Sequence, residues 1–328
     1  MKIGMIFPGY GSQYVGMAKD IYDESRVMQE YFEQASHCVD INYIKLCFAS
    51  SDVELSKMHH AYTSLFLVSS SLYAVLADVG IKPDVVAGYN VGQFAAMHAA
   101  KGLTFADGLY VLMKFSLYAQ QLFEQQSVAM ARIKGCSTDE LQLLLKQVAQ
   151  DAVSIAVYEM PNQHIISGPE DAVFACMQYA KKMPGVKVED IAIEFGLYTP
   201  VMQSAIDQFK IYLEKVDFKD IEIPLISNIS AQSVNSGISL KHEVIHQSVK
   251  PSNWLASLRE LHTCDLLLSV GPGTMLVDMA KQLYPNKKIM AIQKLSDIEL
   301  LKQFIEDQKQ QGKQSEVEQS AVEQPTVE

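Results

Sequence analysis

Asp84-Val85-Val86-Ala87-Gly88-Tyr89-Asn90-Val91-Gly92-Gln93-Phe94-Ala95-Ala96-Met97-His98-Ala99-Ala100 is the stretch on which the fold turns. Its first part, Val85-Val86-Ala87, is a short continuous apolar run that reads as a buried strand, and Phe94 to Ala100 reads as a helix. In a G-x-S-x-G elbow a strand turns sharply into a helix, the serine projects from the corner, and the glycines leave room that any side chain would fill. Both glycines are present, as Gly88 and Gly92, but Asn90 stands where the serine would be. The stretch predicts the backbone of a nucleophile elbow without its nucleophile.

Three more segments accompany it in order. Phe7-Pro8-Gly9-Tyr10-Gly11-Ser12-Gln13 follows an N-terminal strand, Thr199-Pro200-Val201-Met202 opens an amphipathic helix, and Ser269-Val270-Gly271-Pro272-Gly273 comes near the end. Together with the elbow, over about residues 1 to 296, they resemble the malonyl-CoA:acyl-carrier-protein transacylases and the acyltransferase domains of polyketide synthases. The resemblance implies an acyl-carrier protein or a synthase component as partner and a CoA thioester as ligand.

It also implies roles for particular positions. The nucleophile position is Asn90, and the general-base histidine falls, reading back from Thr199-Pro200, on Tyr198. An amide nitrogen has its lone pair delocalised into the carbonyl and is not a competent nucleophile, and a tyrosine, with a pKa of about 10, is a poor base near neutral pH. Losing either member of such a unit costs on the order of 10⁶ in rate. The residue before the nucleophile is Tyr89, the acid after the second glycine has become Gln93, and the family's Thr-Gln-Pro segment has become Ala61-Tyr62-Thr63. Tyr10, Tyr62, Tyr89 and Tyr198 are therefore expected at the pocket, with hydroxyls able to pair with Asn90. Either they close the cleft or they reshape it for another ligand.

Other parts of the site are independent of these changes. The resemblance implies an oxyanion hole made by backbone N–H groups at Tyr10, in the glycine loop with Gly11, and at Val91, in the elbow, whatever the side chains are. Gln247 matches a family position near the catalytic histidine. The arginine that grips the malonyl carboxylate falls on Phe115, which cannot pair a carboxylate; it is either a pocket wall or a core residue. Lys114 is one helix position away and is expected to point about 100° off, toward solvent. No histidine stands at a defensible spacing from Ser12, Ser69 to Ser71 or Ser116, and His59, His60 and His98 read as structural.

The chain has 328 residues, 48% hydrophobic and 20% charged, with a net charge of −11. That composition suits a soluble globular protein with a large core; it argues against nucleic-acid binding, which needs clustered Lys and Arg. Five scattered cysteines without a C-x-x-C pair read as reduced thiols of a cytoplasmic protein, with no metal site, no cofactor, no signal peptide and no membrane-spanning run expected.

Strand signals at Ile3 to Phe7, Val85 to Ala87, Leu225 to Ser227, Leu266 to Val270 and Ile289 to Ile292 alternate with helices over Leu65 to Leu76, Phe94 to Ala100, Phe105 to Glu124 and Met202 to Val216. This is an α/β pattern with a hydrolase-like, largely parallel sheet. Residues 127–194 read differently: strands at Val128 to Ile133, Val153 to Val157, Gln163 to Ser167 and Val186 to Ile193, with helices near Thr138 to Gln147 and Ala172 to Lys182, give βαββαβ, a ferredoxin-like order. The expected organisation is a large subdomain of residues 1–126 and 195–305, an inserted ferredoxin-like subdomain at 127–194, and a disordered acidic tail at 306–328. The expected function is that of a catalytically inactive acyltransferase-fold protein acting as a binding or scaffold partner in fatty-acid or polyketide synthesis. The alternative is an active acyltransferase or thioester hydrolase, with Asn90 orienting a water.

Overall fold

The computed structural model describes residues 1–125, 127–191, 198 and 202–322. The chain opens with β1 (Ile3–Phe7), the helices α1 (Lys19–Glu24), α2 (Arg26–Val39), α3 (Tyr43–Ala49), α4 (Asp52–Leu55) and α5 (Met58–Asp78), then β2 (Val85–Gly88), α6 (Gly92–Ala99) and α7 (Phe105–Gln125). An inserted unit follows: β3 (Val128–Lys134), α8 (Thr138–Ala149), β4 (Ser154–Met160), β5 (Gln163–Pro169), α9 (Glu170–Ala180) and β6 (Lys187–Ile191). The chain returns with α10 (Gln203–Leu213), β7 (Leu225–Ile226), β8 (Ser233–Val234), α11 (Gly237–His246), α12 (Trp254–Glu260), β9 (Leu266–Val270), α13 (Met275–Leu283), β10 (Lys288–Ile292) and α14 (Leu295–Val322).

The large sheet runs β10-β9-β1-β2-β7-β8, with every pairing parallel except the edge pair β7 and β8. Every residue of β1, β2 and β9 is buried, as expected of parallel strands covered on both faces. Register places Phe7 opposite Gly88, so β1 and β2 end level and their following loops leave the sheet side by side.

The second sheet runs β4-β5-β3-β6, all antiparallel, the ferredoxin-like order. Alternation along its strands sorts the two faces. Ala131 and Ile133 of β3 join Leu141, Leu144, Val173 and Cys176 in a separate core under α8 and α9. Met130 of β3, Val157 of β4 and Ile165 of β5 belong instead to the main core and face the cleft. Backbone bonds from Tyr158 N–H to Ser252 O (2.9 Å) and from Ser252 N–H to Ala156 O (2.8 Å) join the two subdomains.

Three local differences from the sequence reading have physical causes. Helices α1 to α4 were not anticipated; α1, α3 and α4 are short, and α2, α3 and α4 start from polar caps, with Ser25, Asn42 and Ser51 each accepting from an N–H of the first turn. Helix α5 begins at Met58 rather than Leu65, which puts Tyr62 on it; it is long and apolar enough to cross a membrane, yet 83% of that window is buried inside the protein. The segment from 306, expected to be disordered, is helical as far as Val322; Gln, Glu and Lys are strong helix formers. The expected strand end at 192–193, the subdomain boundaries at 126 and 194–195, the Thr199-Pro200-Val201 opening and the final 323–328 lie outside the described residues.

Candidate functional site

Since β2 ends at Gly88 and α6 starts at Gly92, Tyr89, Asn90 and Val91 make the whole turn. Asn90 has φ 55°, the left-handed region that asparagine enters more readily than most residues. A Cβ on Gly88 would lie 2.1 Å from the Gly92 carbonyl carbon, one on Gly92 2.1 Å from the Phe7 carbonyl oxygen, and one on Gly9 2.3 Å from the Tyr89 carbonyl oxygen. Elbow and glycine loop are in backbone contact, which only glycine permits there.

Gln93 was expected at the pocket, and the structure corrects this. It is fully buried; its Oε1 accepts from Gly88 N–H (3.0 Å) and its Nε2 donates to the Ile226 carbonyl (3.0 Å). In the first turn of α6 its side chain points back into the sheet, and it brackets the elbow to β7.

Asn90 and Tyr198, expected at the nucleophile and base positions, meet. Asn90 Nδ2 donates to Tyr198 Oη at 2.6 Å, and the Tyr198 N–H donates to the Ser248 carbonyl at 2.8 Å. Burial pushes the Tyr198 phenol pKa upward, against the pull of the Asn90 hydrogen bond. The pair separates two spaces. On one side is a cleft of about 870 Å³ with walls from both subdomains, among them Tyr10, Gly11, Gln13, Tyr89, Met130 and Arg132. On the other is a void of about 20 Å³ bounded by Tyr62, Val91, Phe94, Phe115, Val244 and Gln247.

The void is small because aromatic rings fill the space around it. Tyr62 and Phe115 lie nearly parallel, 6.1 Å apart at 12°, with Phe209 edge-on to Phe115 at 5.6 Å and Tyr10 edge-on to Tyr62 at 5.9 Å. Phe115 is thus core residue and pocket wall at once. Lys114 points elsewhere, over the rings of Tyr110 and Tyr212. The Tyr62 hydroxyl is buried beside the Asn90 amide without a hydrogen bond of ordinary geometry, and burial raises its pKa well above the usual phenol value. Asn90 Oδ1 and Gln247 Oε1 are also buried without partners.

Of the four tyrosines, only Tyr198 hydrogen-bonds Asn90. Tyr10 Oη donates to the Ser56 carbonyl (2.9 Å). Tyr89 stands edge-on to Trp254 and donates its hydroxyl to Glu159 Oε1 at 2.6 Å. Val91 is the N-cap residue of α6, and its N–H is among the amides at the helix start that have no intrahelical acceptor.

Glu159 was not singled out from the sequence. It is completely buried and receives Arg132 Nε (2.7 Å), an Arg132 terminal nitrogen (3.0 Å) and Gln163 Nε2 (2.9 Å) as well as Tyr89. The β4–β5 register slips between Tyr158 and Met160, so Glu159 is the extra residue of a bulge, which turns its side chain into the cleft wall. Burial alone would lower the Arg132 pKa, but the hydrogen bonds and charge of Glu159 more than reverse this and hold it ionised. The sequence signal was present, an acid in the apolar strand Val157-Tyr158-Glu159-Met160 and an arginine between Ala131 and Ile133.

The remaining polar candidates lie outside the cleft and the void; the Ser69 and Ser70 hydroxyls and His59 Nδ1 are buried without partners, and the others are engaged elsewhere. Ser12 Oγ donates to the Gly9 carbonyl, Ser116 Oγ to Met113, and His60 pairs with Glu54 at 3.2 Å. His98 sits between Tyr31 and the Leu103 carbonyl. No histidine lines the cleft or the void among the described residues, nor is there a metal-capable cluster of three or more His, Cys, Asp and Glu.

Residues 5–326 match a family model described as "Acyl transferase domain". The malonyl CoA-acyl carrier protein transacylase of Bacillus subtilis (strain 168) is 27% identical over 311 residues, covering 94% of this chain and 98% of that protein. The protein of the same name from Staphylococcus aureus (strain MRSA252) is 25% identical, covering 90% and 97%. Among solved structures, that of the Coxiella burnetii transacylase has a TM-score of 0.88 at 23% identity, covering 92% of this chain and 96% of that one. A malonyl-transacylase in complex with a type II polyketide-synthase acyl-carrier protein has a TM-score of 0.87 at 23% identity, covering 91% and 98%. At these identities the structural likeness shows the fold, a parallel-sheet α/β domain with an antiparallel ferredoxin-like subdomain.

Proposed function

The chain belongs to the acyl transferase domain family, and from that premise we propose that it is a non-catalytic member, a cytoplasmic binding or scaffold partner in fatty-acid or polyketide synthesis. Its cleft receives the arm of an acyl-carrier protein or of coenzyme A, the molecules named for its relatives. The observation that carries this reading is the 2.6 Å bond between Asn90 and Tyr198. The two positions that should activate and be activated are an amide without a nucleophilic lone pair and a phenol whose pKa is pushed further from neutrality, and they are bonded to each other. The cleft beside them stays open, so loss of chemistry is not loss of the binding space.

Intact-protein mass spectrometry after incubation with malonyl-CoA or acetyl-CoA tests this. The mass should stay unchanged; a stoichiometric acyl adduct mapped to one residue would overturn the reading and name a replacement nucleophile.

A further inference from the structure

The two spaces on either side of Asn90 differ in size by far more than the usual variation among pockets. The outer cleft, at about 870 Å³, falls in the range that takes drug-sized ligands, and its walls mix apolar side chains (Met130, Val157, Ile165, Ile191) with polar ones. That lining suits a chain of methylenes and amides. The inner void, at about 20 Å³, has room for about one water. Asn90 and Tyr198 line both, so any arm that enters the cleft meets their hydrogen-bonded pair and must end there.

We infer that the arm this cleft selects ends in a free thiol, and that acyl thioesters are discriminated against. The inference rests on the binding reading above. A sulfur can come to rest at the elbow, but an acyl group on it adds heavy atoms that the inner void does not hold. The rings of Tyr62, Phe115 and Phe209 block the way, and Tyr62 and Phe115 are more than nine-tenths buried. A thioester must therefore stop short and leave its acyl group in the open part of the cleft. A malonyl carboxylate fares worse. No cationic side chain lines the void among the described residues, so a carboxylate placed there would be buried without a counter-charge. In a family whose named members move malonyl groups, this member would recognise the unloaded arm.

Calorimetric titration of the full chain with coenzyme A, acetyl-CoA and malonyl-CoA tests the inference. Coenzyme A should bind at least tenfold more tightly than either thioester. Phe115→Ala, or Tyr62→Ala if the first variant does not fold, should bring acetyl-CoA to within about threefold of coenzyme A and leave malonyl-CoA weak. Equal or tighter thioester binding by the wild type, or an opened variant that keeps the wild-type ratio, would overturn the thiol preference and leave the binding reading standing. A parallel titration with an acyl-carrier protein bearing the free-thiol phosphopantetheine arm, against its apo form and coenzyme A, separates the sources: tighter binding of the arm-bearing carrier than of coenzyme A assigns the arm to the carrier, and the reverse to the coenzyme. If none of these ligands binds, the binding reading itself falls.

Discussion

Asn90 and Tyr198 show what two substitutions do when they fall on partners. Each alone would disable an acyl-transfer pair, and together they make a bond that holds both in place at positive φ, 55° and 66°. Restoring Asn90→Ser and Tyr198→His is therefore expected not to be enough. Serine in the left-handed region costs about 1 kcal/mol, and the larger obstacle is that Tyr62 and Phe115 occupy the acyl space. The double variant should show no acyl adduct by mass spectrometry, and adding Phe115→Ala should allow acetyl loading from acetyl-CoA. Loading in the double variant alone would mean the rings do not block the pocket. At Glu159 the argument concerns stability. Glu159→Ala leaves the Arg132 guanidinium, mostly buried, without its carboxylate and strips the Tyr89 hydroxyl of its acceptor, a change expected to cost about 3 kcal/mol in urea unfolding. A loss below 1 kcal/mol would mean that water replaces the carboxylate at little cost.

At the scale of elements, caps and periodicity carry much of the design. Ser137 and Glu140 form a reciprocal capping box at the start of α8, and Ser137→Ala should lower stability by about 1 kcal/mol, read as a shift in the urea midpoint. All strands but the two-residue edge strand β8 were legible, because buried parallel strands are short apolar runs and the ferredoxin-like strands alternate; the elbow was legible because its glycines are dictated by backbone contact. Helix α2, with 14 residues and Met28, Phe32 and Ala35 buried along one face, carries the period and was overlooked, whereas α1, α3 and α4 were hidden because four to seven residues are too few for a period to show. Gln93 and Glu159 were misplaced or missed for a related reason. Which way a polar side chain points depends on the first turn of α6 and on a bulge in β4, and neither leaves a mark in residue spacing. Phe115 could be read either as core or as wall because the same ring does both.

For the whole molecule, the buried histidines set a pH dependence. His98 Nδ1–H donates to the Leu103 carbonyl, so Nε2 accepts from Tyr31 Oη and the ring is neutral; burial lowers its pKa, as it does for His59 and His164. Below about pH 6.5 the unfolded chain takes up protons that the folded chain resists, so stability falls as pH falls through that value toward the lower folded pKa. The slope for His98 is at most about 1.4 kcal/mol per pH unit. The urea midpoint should be lower at pH 5.5 than at pH 7.5, and His98→Gln should narrow the gap; an unchanged gap would remove His98 from the account.

The tie from Tyr89 through Glu159 to Arg132 has a kinetic consequence. It joins the elbow of one subdomain to the sheet of the other by a buried charge, and the backbone bonds at Ser252 reinforce it. Swinging the subdomains apart would break the Tyr89–Glu159 hydrogen bond and both backbone bonds at Ser252, so we expect a cleft of set width with no opening step to wait for. Association with a ligand arm should then follow a single phase whose observed rate climbs in proportion to ligand concentration, without the plateau that a slow isomerisation imposes.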